Sequence, residues 1–138
     1  MKYLGLDLGS RTCGVAISDA LGMIARTYTT IRFRDDDYLF AADEVKKICA
    51  KEGVKEIVLG LPKHMNGDEG RRAQISVDFK ELLEKDTDLV VHLVDERLTT
   101  VVVDRVMIEG NMRRDKRHQK KDELAAVVIL EDFLNSKK

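Results

Sequence analysis

The sequence predicts an α/β fold built on one mixed five-stranded sheet with helices on both faces. Three observations predict it: strand-like segments at the start of the chain, two short unbroken apolar runs later, and helical periodicity between and after those runs. Of the 138 residues, 43% are hydrophobic and 36% are charged, which provides enough apolar material for one core under a charged surface. We therefore expect a single domain over residues 1–138.

The first three strands are expected to form an antiparallel meander. Residues 2–8 and 13–19 are apolar segments joined by the turn Gly9-Ser10-Arg11-Thr12. Residues 26–33 alternate with β-branched and aromatic side chains, which is typical of a third strand.

Helices and buried strands alternate in the middle of the chain. The acidic cluster at 35–37 is expected to cap a helix that ends at Gly53, and a second helix is expected from about Glu69 to Lys85. The unbroken apolar runs at 56–61 and 89–94 are typical of strands buried on both faces. Strands that alternate with helices in this way form parallel crossovers, so these two strands are expected to extend the meander in parallel.

Two further helices are expected in the last third of the chain. One begins near Thr99 and Thr100 and ends at Gly110, and the other runs from Asp122 to Asn135 with an apolar stripe on one side. A three-stranded meander, two parallel strands and helices on both faces together form the ribonuclease H-like arrangement.

Charge is distributed unevenly along the chain. The net charge is −1, but residues 113–121 carry a net +5 and the rest of the chain −6. A basic segment on an acidic body is typical of an anion-binding site, although a solvated charged loop would have the same composition.

Membrane, secretory and disulfide classes do not fit the sequence. No run approaches the ~18 apolar residues of a membrane helix, and MKYLGLDLGS has a Gly and an Asp before any signal-peptide core could form. Cys13 and Cys49 lack metal-ligand spacing, so both are expected to be reduced packing residues. We expect a cytoplasmic protein.

Several carboxylates lie at positions that are candidates for a functional site, inside a strand, at the end of a strand and at the start of a helix. Asp7 lies inside the first strand between two leucines, where either a ligand or the amides of the following turn would have to compensate its charge. Asp95 and Glu96 follow a buried strand, at the sheet edge where ligands bind in α/β proteins. Asp122 opens the last helix on its apolar stripe, a position that helix capping also favours. Such oxygen donors select Mg²⁺ or Mn²⁺.

Four segments of the chain resemble a known family. GLDLGSRTCGVAISD, VLGLPKHMNGDEGRRA, VDERLTT and KKDELAAVVILEDFL, in this order and spacing, are similar to the YqgF or RuvX family of Holliday junction resolvases or pre-ribosomal RNA nucleases. The resemblance covers nearly the whole chain and implies a ribonuclease H-like endonuclease that depends on Mg²⁺ or Mn²⁺. It implies Asp7, Glu96 and Asp122 as catalytic and metal-binding residues, with Asp95 as the alternative to Glu96. Lys121 departs from the apolar residue that is usual before the helix aspartate.

Basic residues near these acids are expected to bind substrate phosphates, because guanidinium forks suit bidentate phosphate contacts. Arg11 and Arg97 would serve equally well as ion-pair partners. The chain has no Trp and few other aromatic residues, so base stacking is not expected to contribute much. The expected substrate-binding set is Arg11, Arg72, Arg97, Arg113, Arg114, Lys116 and Arg117.

Two other functions are compatible with the same sequence. A phosphate- or nucleotide-binding fragment of an actin-like ATPase would use the turn after Asp7, but such ATPases need two lobes to close on the nucleotide. A catalytically silent nucleic-acid or ribosome-assembly binding module would keep the fold without the chemistry. The leading expectation is a nuclease whose partner is branched DNA or precursor ribosomal RNA, with no membrane partner. Symmetric cleavage of a junction would favour a homodimer.

Overall fold

The computed structural model describes residues 1–61, 67–95 and 114–136, and for residues 67–69, 72, 95 and 114–122 it describes the backbone alone. Strands and helices alternate within these ranges much as the sequence predicts. The elements are β1 (Tyr3–Leu8), β2 (Thr12–Ser18), β3 (Ala25–Arg32), α1 (Tyr38–Glu52), β4 (Glu56–Leu61), α2 (Gly67–Glu84), β5 (Val90–Asp95) and α3 (Arg114–Ser136).

The five strands form one mixed sheet in the order β3-β2-β1-β4-β5. β1 pairs antiparallel with β2, and β2 pairs antiparallel with β3. β4 lies parallel to both β1 and β5. This topology confirms the predicted meander extended by two parallel strands, and it makes β1 the central strand.

Alternate residues of β1 contribute to two different cores, because successive strand side chains point to opposite faces of the sheet. Leu4, Leu6 and Leu8 pack in the core beneath α1 and α2. Tyr3 packs in the second core, whose helical residues come from α3. The odd-numbered residues of β1 therefore lie on the face that α3 covers.

The ends of α1 follow the local signals that the sequence carries. The Asp37 side chain caps the helix by accepting a hydrogen bond from the Phe40 N–H at 3.3 Å. The helix ends at Gly53, which adopts the left-handed conformation with φ 72° and donates its backbone N–H to the Cys49 carbonyl. Both ends confirm the prediction.

The last helix is longer than predicted. α3 begins at Arg114, whereas the sequence pattern predicts a start at Asp122, with residues 113–121 between two helices. Arg, Lys and Gln are strong helix formers, and no Gly or Pro interrupts residues 113–135. Residues 114–121 of the basic segment therefore form the first turns of the helix, and Asp122 lies eight residues after the helix begins. The helix predicted near residues 99–110 lies outside the described residues.

The two cysteines and the apolar character of the helices can be compared with the predictions from the sequence. Cys13 and Cys49 are buried free thiols, which confirms their predicted role as packing residues. None of the helices described is long and apolar enough to cross a membrane.

Candidate active site

Asp7 lies near the carboxyl end of β1 on the sheet face that α3 covers. It pairs with Gly14 of β2 and is half-buried. The carboxylate therefore points away from the leucine core beneath α1 and α2, as strand alternation predicts. A carboxylate on a partly buried sheet face is costly unless hydrogen bonds or cations compensate it.

α3 passes directly over β1 and runs antiparallel to it. A Cβ built on Gly5 would lie 2.8 Å from the Ala126 carbonyl oxygen and 2.8 Å from the Leu130 Cβ. The Tyr3 and Phe133 rings are 5.7 Å apart. Residue numbers along α3 therefore fall as those along β1 rise.

This alignment brings the backbone of residue 122 to the level of Asp7. Residue 122 lies one helical turn before Ala126 on the same stripe, about 6 Å along the axis. Asp7 lies two residues after Gly5, about 6.7 Å along the strand. The two rises are nearly equal, so the backbone of residue 122 lies at the same level along β1 as Asp7.

A hydrogen bond fixes the same end of α3 above the sheet. The Thr30 hydroxyl donates to Glu123 Oε2 at 3.0 Å. Thr30 pairs with Gly14, which in turn pairs with Asp7, so the three residues form one row across β3, β2 and β1. Glu123 is a polar contact near the site that was not predicted from the sequence. Its only sequence signal is its place directly after Asp122.

The carboxyl end of β5 lies two strands from β1 at the same edge of the sheet. Leu6, Leu59 and Leu93 form a row across β1, β4 and β5. Asp95 is the last residue of β5 and pairs with Leu61. Strand spacing of about 4.8 Å puts the two backbones roughly 10 Å apart. Glu96 and Arg97 lie outside the described residues.

Arg11 is held in an ion pair within the turn that follows β1. Its guanidinium donates two hydrogen bonds to the Asp35 carboxylate. The hydrogen bond from Arg11 and its positive charge hold the pKa of Asp35 below its usual range, and the same contact raises the pKa of Arg11. The ion-pair alternative for Arg11 is thus observed, and a phosphate at this turn would compete with Asp35.

The other predicted basic residues are described only in part. Arg72 lies on α2, and Arg114, Lys116 and Arg117 lie in the first turns of α3. Arg113 is outside the described residues. No three His, Cys, Asp or Glu side chains converge as metal ligands among those described, a set that includes neither Glu96 nor the Asp122 carboxylate.

Comparison with known proteins decides the family. The model of the RuvX family, described as Holliday junction resolvase, matches residues 1–136. The chain belongs to the RuvX family. A relative from Oceanobacillus iheyensis named "Putative pre-16S rRNA nuclease" is 44% identical over 137 residues, which cover 99% of this chain and 100% of the relative. A Clostridium botulinum protein of the same name is 44% identical over 136 residues, with 99% and 98% of the two chains covered.

Solved structures agree with this RuvX chain in fold. Thermus thermophilus RuvC in complex with Holliday junction substrate matches with a TM-score of 0.64 at 11% identity, covering 99% of this chain and 95% of that one. The fowlpox virus Holliday junction resolvase matches with a TM-score of 0.63 at 10% identity, covering 99% of both chains. The predicted ribonuclease H-like fold and the predicted family are both confirmed, and membership places the chain in a family of nucleases.

Proposed function

We propose that this RuvX protein is a metal-dependent endonuclease that hydrolyses phosphodiester bonds in structured nucleic acid. Its substrate would be Holliday junction DNA or the precursor of small-subunit ribosomal RNA. The observation that carries the proposal is the half-buried Asp7 on the face beneath α3, level with residue 122. Two aspartates from distant parts of the chain then share one end of the sheet, where an anionic pair needs cations.

The helix geometry supports a site role for Asp122 over a role in capping the helix. A carboxylate in the first turn would stabilise the helix dipole or cap the helix, but these effects fade beyond the first turn. Asp122 lies two turns further along α3. A site role therefore accounts for an acid on this stripe better than helix stability does.

Strand alternation favours Glu96 over Asp95 as the third carboxylate. The His92 ring lies 4.8 Å from the Phe133 ring of α3, and Val94 packs in the core beneath α3. Even-numbered residues of β5 therefore share a face with Asp7. The next even-numbered residue in the sequence is Glu96, whereas Asp95 is odd-numbered.

Asp7, Glu96 and Asp122 would hold Mg²⁺ or Mn²⁺, because all three offer the oxygen donors that these ions prefer. When bound, two such ions activate water and stabilise the leaving oxygen of a phosphodiester. The chain itself supplies a rigid frame: Asp7 belongs to the central strand, and Glu123 ties α3 to the sheet through Thr30.

The first turns of α3 supply charge for the substrate backbone. Residues 114–121 carry five basic residues and one acid. Cations are disfavoured at the positive end of a helix dipole, so this concentration weakens the helix that carries it. A polyanion bound there would relieve the repulsion.

Replacing Asp7 with Asn tests the proposal, since it keeps the shape of the side chain and removes its charge. Purified protein is incubated with four-way junction DNA, duplex DNA and precursor ribosomal RNA, with Mg²⁺, Mn²⁺ or a chelator. We expect Asp7→Asn to lose at least about 100-fold in cleavage rate while still binding substrate, since removed metal ligands act on the chemical step. Asp43→Asn, an exposed change on α1, is the matched control and should cleave normally.

Three outcomes would contradict the proposal. Asp7→Asn could retain more than about a tenth of wild-type activity, whereas loss of a ligand should remove far more. The wild type could cleave equally well in chelator. It could also bind these substrates without cleaving any of them, which would favour the silent binding module instead.

A further inference from the structure

A cleft of about 470 Å³ opens at the carboxyl end of β1, on the face opposite α3. We call it the β1 cleft. Its volume lies within the range of about 300–1,000 Å³ that is typical of small-ligand sites. The described residues that line it include Ser10 from the turn, Asp36 and Tyr38 at the start of α1, and Arg71, Ile75 and Ser76 from α2.

Ser76 is a buried hydroxyl that lines this cleft. The residue is 4% exposed, and its hydroxyl has no hydrogen-bond partner among the described residues. Buried polar groups without partners are rare because each costs free energy. A ligand in the cleft would supply the missing partner.

Arg71 adds a positive charge to the same side of the cleft. It is exposed, and no described residue forms an ion pair with it. Arg71 and Ser76 both belong to α2, so one rigid element carries a guanidinium and a hydroxyl toward one volume. Together they suit a phosphate group.

The turn and the start of α1 also line the cleft and carry a fixed hydrogen-bond acceptor. Asp36 has a left-handed backbone with φ 59°, and its N–H donates to the Ser10 carbonyl at 3.0 Å. Asp36 Oδ1 accepts a hydrogen bond from the Tyr38 hydroxyl at 3.0 Å. Asp36 Oδ2 has no partner among the described residues. This carboxylate is therefore held in place with one oxygen available to a hydroxyl donor.

The two sides together define the ligand's chemistry. A free phosphate would satisfy Arg71 but would meet the Asp36 carboxylate, and a metal cation would be repelled by Arg71. A ligand with a phosphate at one end and a hydroxyl donor at the other satisfies both sides. Leu8, Ile75 and Tyr38 add apolar surface to the lining of the cleft.

We propose that the β1 cleft binds one ribonucleotide unit, with its phosphate on Arg71 and Ser76 and its ribose 2′-hydroxyl on Asp36. The 2′-hydroxyl is the group by which proteins distinguish RNA from DNA. The proposal rests on the proposed function for the source of the nucleotide, an RNA strand that crosses the edge of β1 next to Asp7. A free ribonucleoside monophosphate has the same chemistry.

Calorimetric titrations of the full chain in chelator test the site without cleavage. AMP, dAMP, inorganic phosphate and a short single-stranded RNA are titrated into wild type, Arg71→Gln, Ser76→Ala and Asp36→Asn. We expect AMP to bind wild type about five- to tenfold more tightly than dAMP, as the net gain from one typical hydrogen bond to an exposed group allows. Arg71→Gln should weaken AMP binding by about tenfold or more.

The remaining variants separate the two sides of the site. Asp36→Asn should abolish the preference for AMP over dAMP, and Asn tolerates the left-handed backbone. Ser76→Ala should weaken AMP and dAMP equally without lowering stability, because the hydroxyl has no protein partner to lose. Arg26→Gln and Asp43→Asn change exposed residues outside the cleft and should bind like the wild type.

Any one of three results would overturn the proposed nucleotide site. AMP and dAMP could bind equally, neither could bind at millimolar concentration, or AMP binding could be unaffected by Arg71→Gln. RNA that binds more tightly than AMP and is weakened by Arg71→Gln identifies a strand as the source. RNA binding that ignores Arg71→Gln, with AMP binding still sensitive to it, identifies a free nucleotide. These titrations need no metal and no cleavage, so a protein that passes them but fails the Asp7→Asn test would overturn the nuclease proposal alone.

Discussion

Replacing Gly5 with Ala tests how closely α3 must lie on β1 for the candidate site to form. The added Cβ would be 2.8 Å from both the Ala126 carbonyl oxygen and the Leu130 Cβ, whereas ordinary contacts begin at 3.4 Å. One of these atoms belongs to the helix backbone, so no side-chain rotation relieves the overlap. α3 would have to move away from the sheet by about 0.6 Å in a densely packed core.

The expected cost has a stability part and a functional part. Overpacking of this kind costs about 1–3 kcal/mol, which lowers Tm by roughly 3–10 °C for a chain of this length. The shift also moves residue 122 relative to Asp7, and misplacement by about 1 Å can cost up to 100-fold in rate. We therefore expect cleavage to fall by about tenfold at 25 °C, where the variant is still folded.

Gly70→Ala is the matched control for Gly5→Ala. A Cβ on Gly70 meets nothing within 4 Å, and Gly70 lies in α2, where Ala is the better helix former by up to about 1 kcal/mol. Melting followed by circular dichroism should therefore show opposite shifts in Tm for the two variants. A Gly5→Ala protein with the Tm and activity of the wild type would refute the close seating of α3 on β1.

Charge, pH and thiol chemistry give three further tests. Neutralising the basic residues Arg113, Arg114, Lys116 and Arg117 should lower the slope of log K against log salt by up to about 3 to 4 units on duplex substrates while cleavage at saturating enzyme survives. An unchanged slope would mean that these residues bind no phosphate. Hydrogen bonds from Lys80 and the Val91 N–H hold the pKa of Glu84 below its usual value. The stability advantage of wild type over Glu84→Gln, measured by urea unfolding, should therefore be full at neutral pH and disappear as pH falls through the folded-state pKa; a constant advantage would contradict this. Burial raises the pKa of the Cys49 thiol to about 11, so alkylation at about pH 8 should require unfolding.

Local patterns in the sequence determined the order and type of the described elements. The predicted strand at 56–61 coincides with β4, and α1 has its cap at Asp37 and its end at Gly53. Strand alternation also determined which face Asp7 would use. These features depend on neighbouring residues, so composition and period suffice to predict them. The start of α3 was predicted wrongly because Asp122 looked like a first-turn acid, although the basic residues before it also favour a helix.

Only the tertiary structure decided which distant residues meet. Thr30 and Glu123 are 93 positions apart, yet they share a hydrogen bond. The sequence is compatible with two roles for Arg11, and the structure shows the ion pair with Asp35. The seating of α3 on Gly5 likewise decided that residue 122 lies level with Asp7. Such contacts depend on how helices pack on the sheet, which no local period encodes.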